Sequence, residues 1–401
     1  MKKKNARRAD GRISVQVYVG IVDGKRKYKS VYGATQKEAD EKANLVRASL
    51  HKGLDVSADR DAFGLWAQRW MEIHFPEISH GQQVAYRGAV KQLEPLFGLP
   101  VSKVRPYDLQ QIIASLAKEH PITHAPASRR TLETVKGAAR QIFDLVVDNR
   151  VVEFNPAVNL KIPASAPAEK RRALTQEEQG WIISTPHRAQ RAAMIMMFAG
   201  LRRGELIPLT WRDIDLDART IHVDKSVEMI HGKSSQKGGG KTDTSTRTID
   251  IPRLLVDFLR GEWEQEVASR ETGVITLGQL VCPNAQGKMH NSSSWKRMWE
   301  SYLKELNFRY GKFMVQPKSK MQPGGVPMVI PQITAHWLRH TFATMLYHAG
   351  VDVLTAKEQL GHSDIKTTLE IYTHLDSVYK RRSMDKLDAF LDGSKNIFKL
   401  G

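Results

Sequence analysis

The sequence predicts a multidomain protein, mainly α with small β-sheets. Three observations carry this reading. The chain has 401 residues, enough for two or three domains. Apolar residues recur at helical spacing over most of it, and strand-like alternation is confined to short stretches near residue 15 and between residues 220 and 251. A stretch rich in Pro and Ala without periodicity, residues 160–172, separates a largely helical part from a mixed one. The composition also excludes several classes. A hydrophobic fraction of 41% is enough for ordinary cores. No run approaches the ~20 apolar residues of a membrane span. The single cysteine, Cys282, allows neither an internal disulfide nor a cysteine-rich zinc site. The basic N-terminus is not followed by the apolar segment of a secretory leader. The expectation is a soluble intracellular protein with a formal charge of +18, and such an excess points to a polyanion, nucleic acid before an anionic membrane.

The first fifty residues hold thirteen Lys and Arg against five acids, an excess of eight. Ile13, Val15, Val17 and Val19 alternate as in a strand, Asp23-Gly24 is a hairpin signal, and residues 25–32 read as the return strand. Thr35, with Glu38 three residues on, fits a capping box opening a helix. A small sheet plus one helix, coated in positive charge, suits a DNA groove. Candidate contacts are Lys2, Lys3, Lys4, Arg7, Arg8, Arg12, Lys25, Arg26, Lys27 and Lys29. A solvated basic tail over residues 1–8 and a sheet that packs elsewhere are the alternatives.

Residues 61–155 read as helical. Trp66, Trp70 and Ile73 share one face, Leu109, Ile112, Ile113 and Leu116 a second, and Leu132, Val135, Ile142, Phe143 and Val146 a third. These stripes are core and specify no chemistry. Arg69, Arg87, Lys91, Arg129, Arg130, Lys136 and Arg140 fall on the other faces, where they suit phosphates or plain solvation. Beyond residue 174, helices flank a strand pair at 220–227 and 246–251, joined by a Gly/Lys/Ser-rich connection at 232–243.

Four segments of this last part carry chemistry. Arg202 follows Gly200-Leu201 at a bend between helical stretches, with Glu205 three residues on to hold it. Lys241 follows three glycines at a hairpin tip, from which it could reach a site and donate a proton; Lys233 and Lys237 lie in the same loop. His336 and Arg339 lie on one face of a helix capped by Thr334, near its positive end, where an anion is favoured. Gly361 closes a helix, His362 sits in the turn, Ser363 caps the next helix, and Tyr372 follows on the face of Ile365 and Leu369. Taken singly, each also fits an ordinary surface or core position.

Taken in order, Gly200-Leu201-Arg202 with Glu205-Leu206, Lys241, His336-x-x-Arg339-His340, Leu360-Gly361-His362-Ser363-Asp364 and Thr367-Thr368-Leu369-Glu370-Ile371-Tyr372 resemble the tyrosine recombinases, and within them the integrases of phages and mobile elements. The resemblance spans most of residues 174–385. It implies an α+β tyrosine recombinase catalytic domain at 173–385, preceded by a small β-sheet-plus-helix arm-binding domain at 1–55, a helical core-binding domain at 56–160 and a linker at 161–172. A C-terminal helix or tail would occupy 386–401. The implied activity is cutting and rejoining DNA through a 3′-phosphotyrosyl link, integrating an element and, with a partner, excising it.

The resemblance also implies residue roles, and each has a physical reason. Tyr372 attacks the phosphodiester. Arg202 and Arg339 clamp the non-bridging oxygens in a two-toothed geometry that lysine lacks. His336 accepts or steadies the tyrosine proton, because a free phenol has pKa ≈ 10. Lys241 protonates the departing 5′-oxygen, His362 holds a phosphate oxygen, and Glu205 orients Arg202 or a neighbour. No cofactor or metal is expected. The implied partners are double-stranded DNA attachment sites, three further copies forming a tetramer on DNA, an excisionase and a host DNA-bending protein, with no membrane, in the cytoplasm of a bacterial host. A transposon recombinase or resolvase of the same chemistry and a catalytically silent DNA-binding relative are the competing readings. Residues 308–331 are expected to be either a DNA-contacting insertion or a disordered loop. The amphipathic run from Met384 to Leu391 either docks on a neighbouring protomer or packs on its own domain.

Overall fold

The structure is a computed structural model. It describes residues 9–22, 25–167, 172–230, 233–238, 246–269, 276–315, 317–319 and 326–373, together with Met384 and Asp388; at 22, 229–230, 233–238 and 370–373 only the backbone is described. The chain divides into two compact units, Met1–Glu169 and Lys170–Gly401.

The first unit opens with an antiparallel pair, β1 (Ile13–Val22) and β2 (Lys25–Gly33). Val22 pairs with Lys25; the turn residues Asp23-Gly24 lie outside the described residues. Helix α1 (Gln36–His51) covers one face, and Ile13, Val15, Val17, Val31, Ala39 and Ala43 form a small core between them. Thr35 caps α1 by accepting from the Glu38 amide at 3.2 Å. The Glu38 carboxylate reaches the amide of Ala34 rather than that of Thr35, so only half of the expected capping box forms.

The helical part comprises α2 (Phe63–His74), α3 (His80–Gln92), α4 (Pro106–Lys118) and α5 (Arg129–Asp148). All three expected stripes face one core, with one exception. Ile73 is 63% exposed. It lies in the last turn of α2, where the rings of His74, Phe75 and Tyr86 cover Trp70 instead. Several arginines and lysines of the outer faces are held internally: Arg69 by Asp61 and over Trp66, Arg87 over Phe75, and Lys136 by the carbonyl of Leu160. The beginning of the Pro/Ala-rich stretch packs back on this unit. Leu160 and Ala166 are buried in its core, Gln110 and Lys161 exchange two hydrogen bonds of 2.9 Å, and the Arg129 amide donates to Pro167 O.

The second unit begins with α6 (Gln176–Ser184), capped by a full Thr175–Glu178 box, and α7 (Gln190–Phe198). Residues Ala192 to Met197 are buried all round, which makes α7 the central helix of the core. One turn, α8 (Arg203–Leu206), leads to a three-stranded sheet of β3 (Ile214–Asp215), β4 (Thr220–Val223) and β7 (Arg247–Asp250) in the order β3-β4-β7. Between β4 and β7 stands a separate hairpin, β5 (Lys225–Ile230) and β6 (Lys233–Gly238). The single strand expected at 220–227 is therefore broken at Asp224, and the expected glycine-rich connection contains a strand. Lys225 turns aside to Asp213 and Asp224, and the pairing of β4 with β7 ends at Val223 and Arg247.

Helices α9 (Arg253–Ala268), α10 (Ser292–Tyr310), α11 (Ala335–His348), α12 (Val353–Leu360) and α13 (Ile365–Thr373) complete the unit. The stretch at 308–331 is pinned at both described ends: it starts in α10, and the buried Asn307 holds Pro327, Val329 and Ile330. The amphipathic run after Tyr372 lies outside the described residues, apart from Met384 and Asp388. Among the described residues no helix is long and apolar enough to cross a membrane.

Candidate active site

Two glycine turns far apart in sequence build the site. Gly200 has φ +66° and Gly361 has φ +60°, backbone that side chains rarely adopt. A Cβ on Gly200 would meet the Phe342 ring at 2.4 Å, and one on Gly361 the Arg247 guanidinium at 2.7 Å. The close approaches place three backbone carbonyls where two arginines can use them. Arg339, in the second turn of α11, is 4% exposed and donates to the carbonyls of Gly200 and Leu360. Arg202 is half-exposed and donates to Gly361 O at 2.8 Å.

Glu205 holds Arg202 in place. Its carboxylate accepts the Arg202 amide at 2.8 Å and the Arg202 guanidinium at 2.8 Å. The same carboxylate accepts both terminal nitrogens of Arg247, at 3.2 and 3.1 Å. Burial alone would raise the Glu205 carboxyl, but the bonds and charges of Arg247 and Arg202 outweigh it and hold it at about 2. Arg339 has no carboxylate of its own in direct contact among the described pairs. Burial, with Arg202 and Arg247 close by and only partly offset by Glu205, lowers it to about 9. Three guanidiniums facing one carboxylate form a depression short of negative charge.

His362 follows Gly361, and its Nδ1 lies 2.9 Å from the hydroxyl of the fully buried Thr368. Burial first, then Arg339, Arg202, Arg247 and His336, push the imidazole down to about 4, so it is neutral at pH 7. His336 is exposed one turn ahead of Arg339 on α11, whose N-terminus Thr334 caps. His336, Arg202 and Arg339 line one cavity of about 690 Å³, with Trp295, Lys296 and Trp299 of α10 on its other wall.

The structure thus brings Arg202, Glu205, His336, Arg339 and His362 together. Tyr372 lies in the last turn of α13, the helix that begins just after His362 and packs on α11 and α12. Lys241 lies outside the described residues, and Lys233 and Lys237 belong to β6. Asp364, rather than Ser363, caps α13, because its carboxylate accepts the Lys366 amide. In the N-terminal module, Lys2, Lys3, Lys4, Arg7 and Arg8 lie outside the described residues; Lys25, Arg26 and Lys27 are exposed, and Arg12 pairs with Asp10. Lys29 is a correction. Its ammonium is turned inward, to the Asp59 carboxylate and Val56 O, and its side chain is only 12% exposed. Sequence reasoning missed Arg247, and it gave Thr368 no role although Thr368 stands in the block that ends at Tyr372. Their only signal was position: an arginine opening the short strand Arg247–Asp250, and a threonine six residues after a turn histidine.

Residues 171–378 match the phage integrase family model, more than half of the chain. The chain belongs to that family: it is a tyrosine recombinase, an enzyme that breaks and rejoins DNA. It is 25% identical over 394 residues to a XerC-like tyrosine recombinase of Caldanaerobacter subterraneus, covering 91% of this chain and 93% of the relative. It is 27% identical over 270 residues to the ICEBs1 integrase of Bacillus subtilis, covering 66% and 67%. Its fold is shared with the Tn1549 transposon integrase solved with circular intermediate DNA, at a TM-score of 0.63 and 19% identity over 81% of this chain and 99% of that one.

Proposed function

We propose that this recombinase integrates the DNA of a phage or mobile element, and that the cluster around Gly200 and Gly361 holds the scissile phosphate of double-stranded DNA. The convergence of Arg202 and Arg339 on that cluster carries the reading, because both point charged donors at one place while backbone carbonyls fix their other faces. The Tyr372 oxygen attacks phosphorus, and its proton passes to His336. The bond to the 5′-oxygen breaks, Lys241 protonates that oxygen, and a 3′-phosphotyrosyl link remains. The 5′-hydroxyl of a second strand then attacks the link and releases the tyrosine. Charge growing on the non-bridging oxygens falls to Arg202, Arg339 and His362. Thr368 lies against Nδ1, so the tautomer of neutral His362 that carries its proton on Nε2 accepts the Thr368 hydroxyl hydrogen bond at Nδ1 and donates from Nε2 to the phosphate. Each bond broken stores its energy in the next, so the exchange needs no cofactor.

Exchanging two duplexes breaks four strands, and each break uses one Tyr372, so the working assembly is a homotetramer on DNA. Residues 1–55 form the arm-binding domain, with Lys2, Lys3, Lys4, Arg7, Arg8, Arg12, Lys25, Arg26 and Lys27 on phosphates. Residues 56–160 form the core-binding domain, 161–172 the linker, 173–385 the catalytic domain and 386–401 the tail. An excisionase and a host bending protein set the direction, in the cytoplasm of a bacterial host.

The test is trapping on nicked suicide duplexes taken from the DNA flanking the protein's own gene. The wild-type chain forms a covalent adduct that maps to Tyr372, and Tyr372→Phe binds the duplex without one. An adduct at normal yield in that variant would sink the nucleophile assignment.

A further inference from the structure

We infer that Arg247 is a positioning residue for Arg202, acting through Glu205; the inference rests on the phosphate site proposed above. Arg247 opens β7, and its side chain is 9% exposed. Its two terminal nitrogens donate to the two oxygens of Glu205, and its Nε donates to Gln359 O at 3.3 Å. Gly361 lies directly against the guanidinium, close enough that any Cβ there would collide with it. Arg247 therefore ties a strand, the Glu205 turn and the end of α12 to one point.

The lone pairs of Glu205 explain what this does. An ionised carboxylate offers about four acceptor directions. Arg202 uses two, one for its amide and one for a single guanidinium nitrogen, and Arg247 uses the others. With Arg247 removed, both Glu205 oxygens are released to close on the Arg202 guanidinium as a two-toothed pair. That pairing draws the second Arg202 nitrogen away from Gly361 O and neutralises charge that the phosphate would meet. Arg247 keeps Glu205 occupied, so that Arg202 is held by one tooth and turned outward. A buried ion pair of purely structural value would lower stability and leave the chemical step alone.

The test uses the full-length chain in single-turnover cleavage of the same nicked duplexes. Arg247→Met should bind DNA with a Kd within about twofold of wild type and form adduct about 10–100-fold more slowly. Arg247→Lys, which restores the charge and one bond, should fall between the two. Combining Arg247→Met with Glu205→Gln should be no slower than Arg247→Met alone, because both act through one carboxylate. The inference is overturned by adduct formation within about threefold of wild type in Arg247→Met, by losses that multiply in the double variant, or by a loss confined to Kd. If Arg247→Met does not melt cooperatively, Arg247→Lys decides: slower adduct formation at unchanged Kd supports the role, and a wild-type rate removes it. A wild-type chain that forms no adduct at all would instead end the phosphotyrosyl reading, and this inference with it.

Discussion

Arg202 and Arg339 differ in what surrounds them, and the difference assigns them different sensitivities. Arg202 is half-exposed and shared between Glu205 and Gly361 O. Arg202→Lys keeps the charge but offers no planar fork, so single-turnover cleavage should fall by about a hundredfold or more with DNA binding retained. Near-normal cleavage would refute the clamp. Acid sensitivity also belongs to single residues here. Glu205 sits at about 2 against its ordinary 4.5, so the stability it contributes is whole above 4.5 and is lost as pH falls from there toward 2. His362 sits at about 4 against 6.5, and the folded state resists its protonation, so stability drains away between pH 6.5 and 4. Melting temperature should therefore start to fall below about pH 6.5. In His362→Asn that first slope should flatten, and an unchanged slope would place the loss elsewhere. Arg202, His336, Arg339 and His362 were singled out by the ordered resemblance to the tyrosine recombinases, since each taken alone also fits an ordinary position, and the structure brings them together. Arg247 and the inward turn of Lys29 were not legible in the sequence, because a buried arginine and an inward lysine are defined by partners 42 and 30 residues away.

At the scale of elements, helices were read more faithfully than strands. The stripes of α4 and α5 face the core as their periodicity requires, since a full helical face leaves little choice. The break between β4 and β5 left no comparable mark, because a strand's partner is not written in its own residues. The turns were legible only as glycines; their positive φ and the close neighbours beneath them appear in three dimensions. Gly361→Ala forces a left-handed conformation and a clash with Arg247, and Gly200→Ala meets the Phe342 ring still closer. Each should cost more than about 1 kcal/mol in denaturant unfolding. Gly361→Ala should lose cleavage as well, because Arg202 and Arg247 both depend on that turn. A variant that melts and cuts like wild type would show that the turn tolerates a side chain.

For the whole molecule, the opening excess of positive charge divides. Part is internal, as in Lys29 and Lys136, whose ammonium groups are taken by Asp59 and by the carbonyl of Leu160. Much of the rest is exposed, notably on β2, where Lys25, Arg26 and Lys27 stand beside the aromatic pair Tyr18 and Tyr28. Each phosphate neutralised steepens the dependence of affinity on salt. Deleting residues 1–55 should therefore make that slope shallower, and an unchanged slope would remove the N-terminal module from DNA contact. Because each unit has its own core, residues 170–401 alone should still melt cooperatively by calorimetry.

The bond from Arg202 to Gly361 spans 159 residues, and that from Arg339 to Gly200 spans 139. Such contacts close late in folding, after the local helices have formed. On the ribosome the consequence is temporal. Arg202 is made 159 residues before its carbonyl partner Gly361, the histidine of that turn follows at once, and Tyr372 comes later still. A nascent or prematurely terminated chain can thus carry a finished N-terminal module and still be unable to cut. A chain stopped before residue 360 holds Arg202 and Arg339 without the carbonyls of Leu360 and Gly361 that fix them.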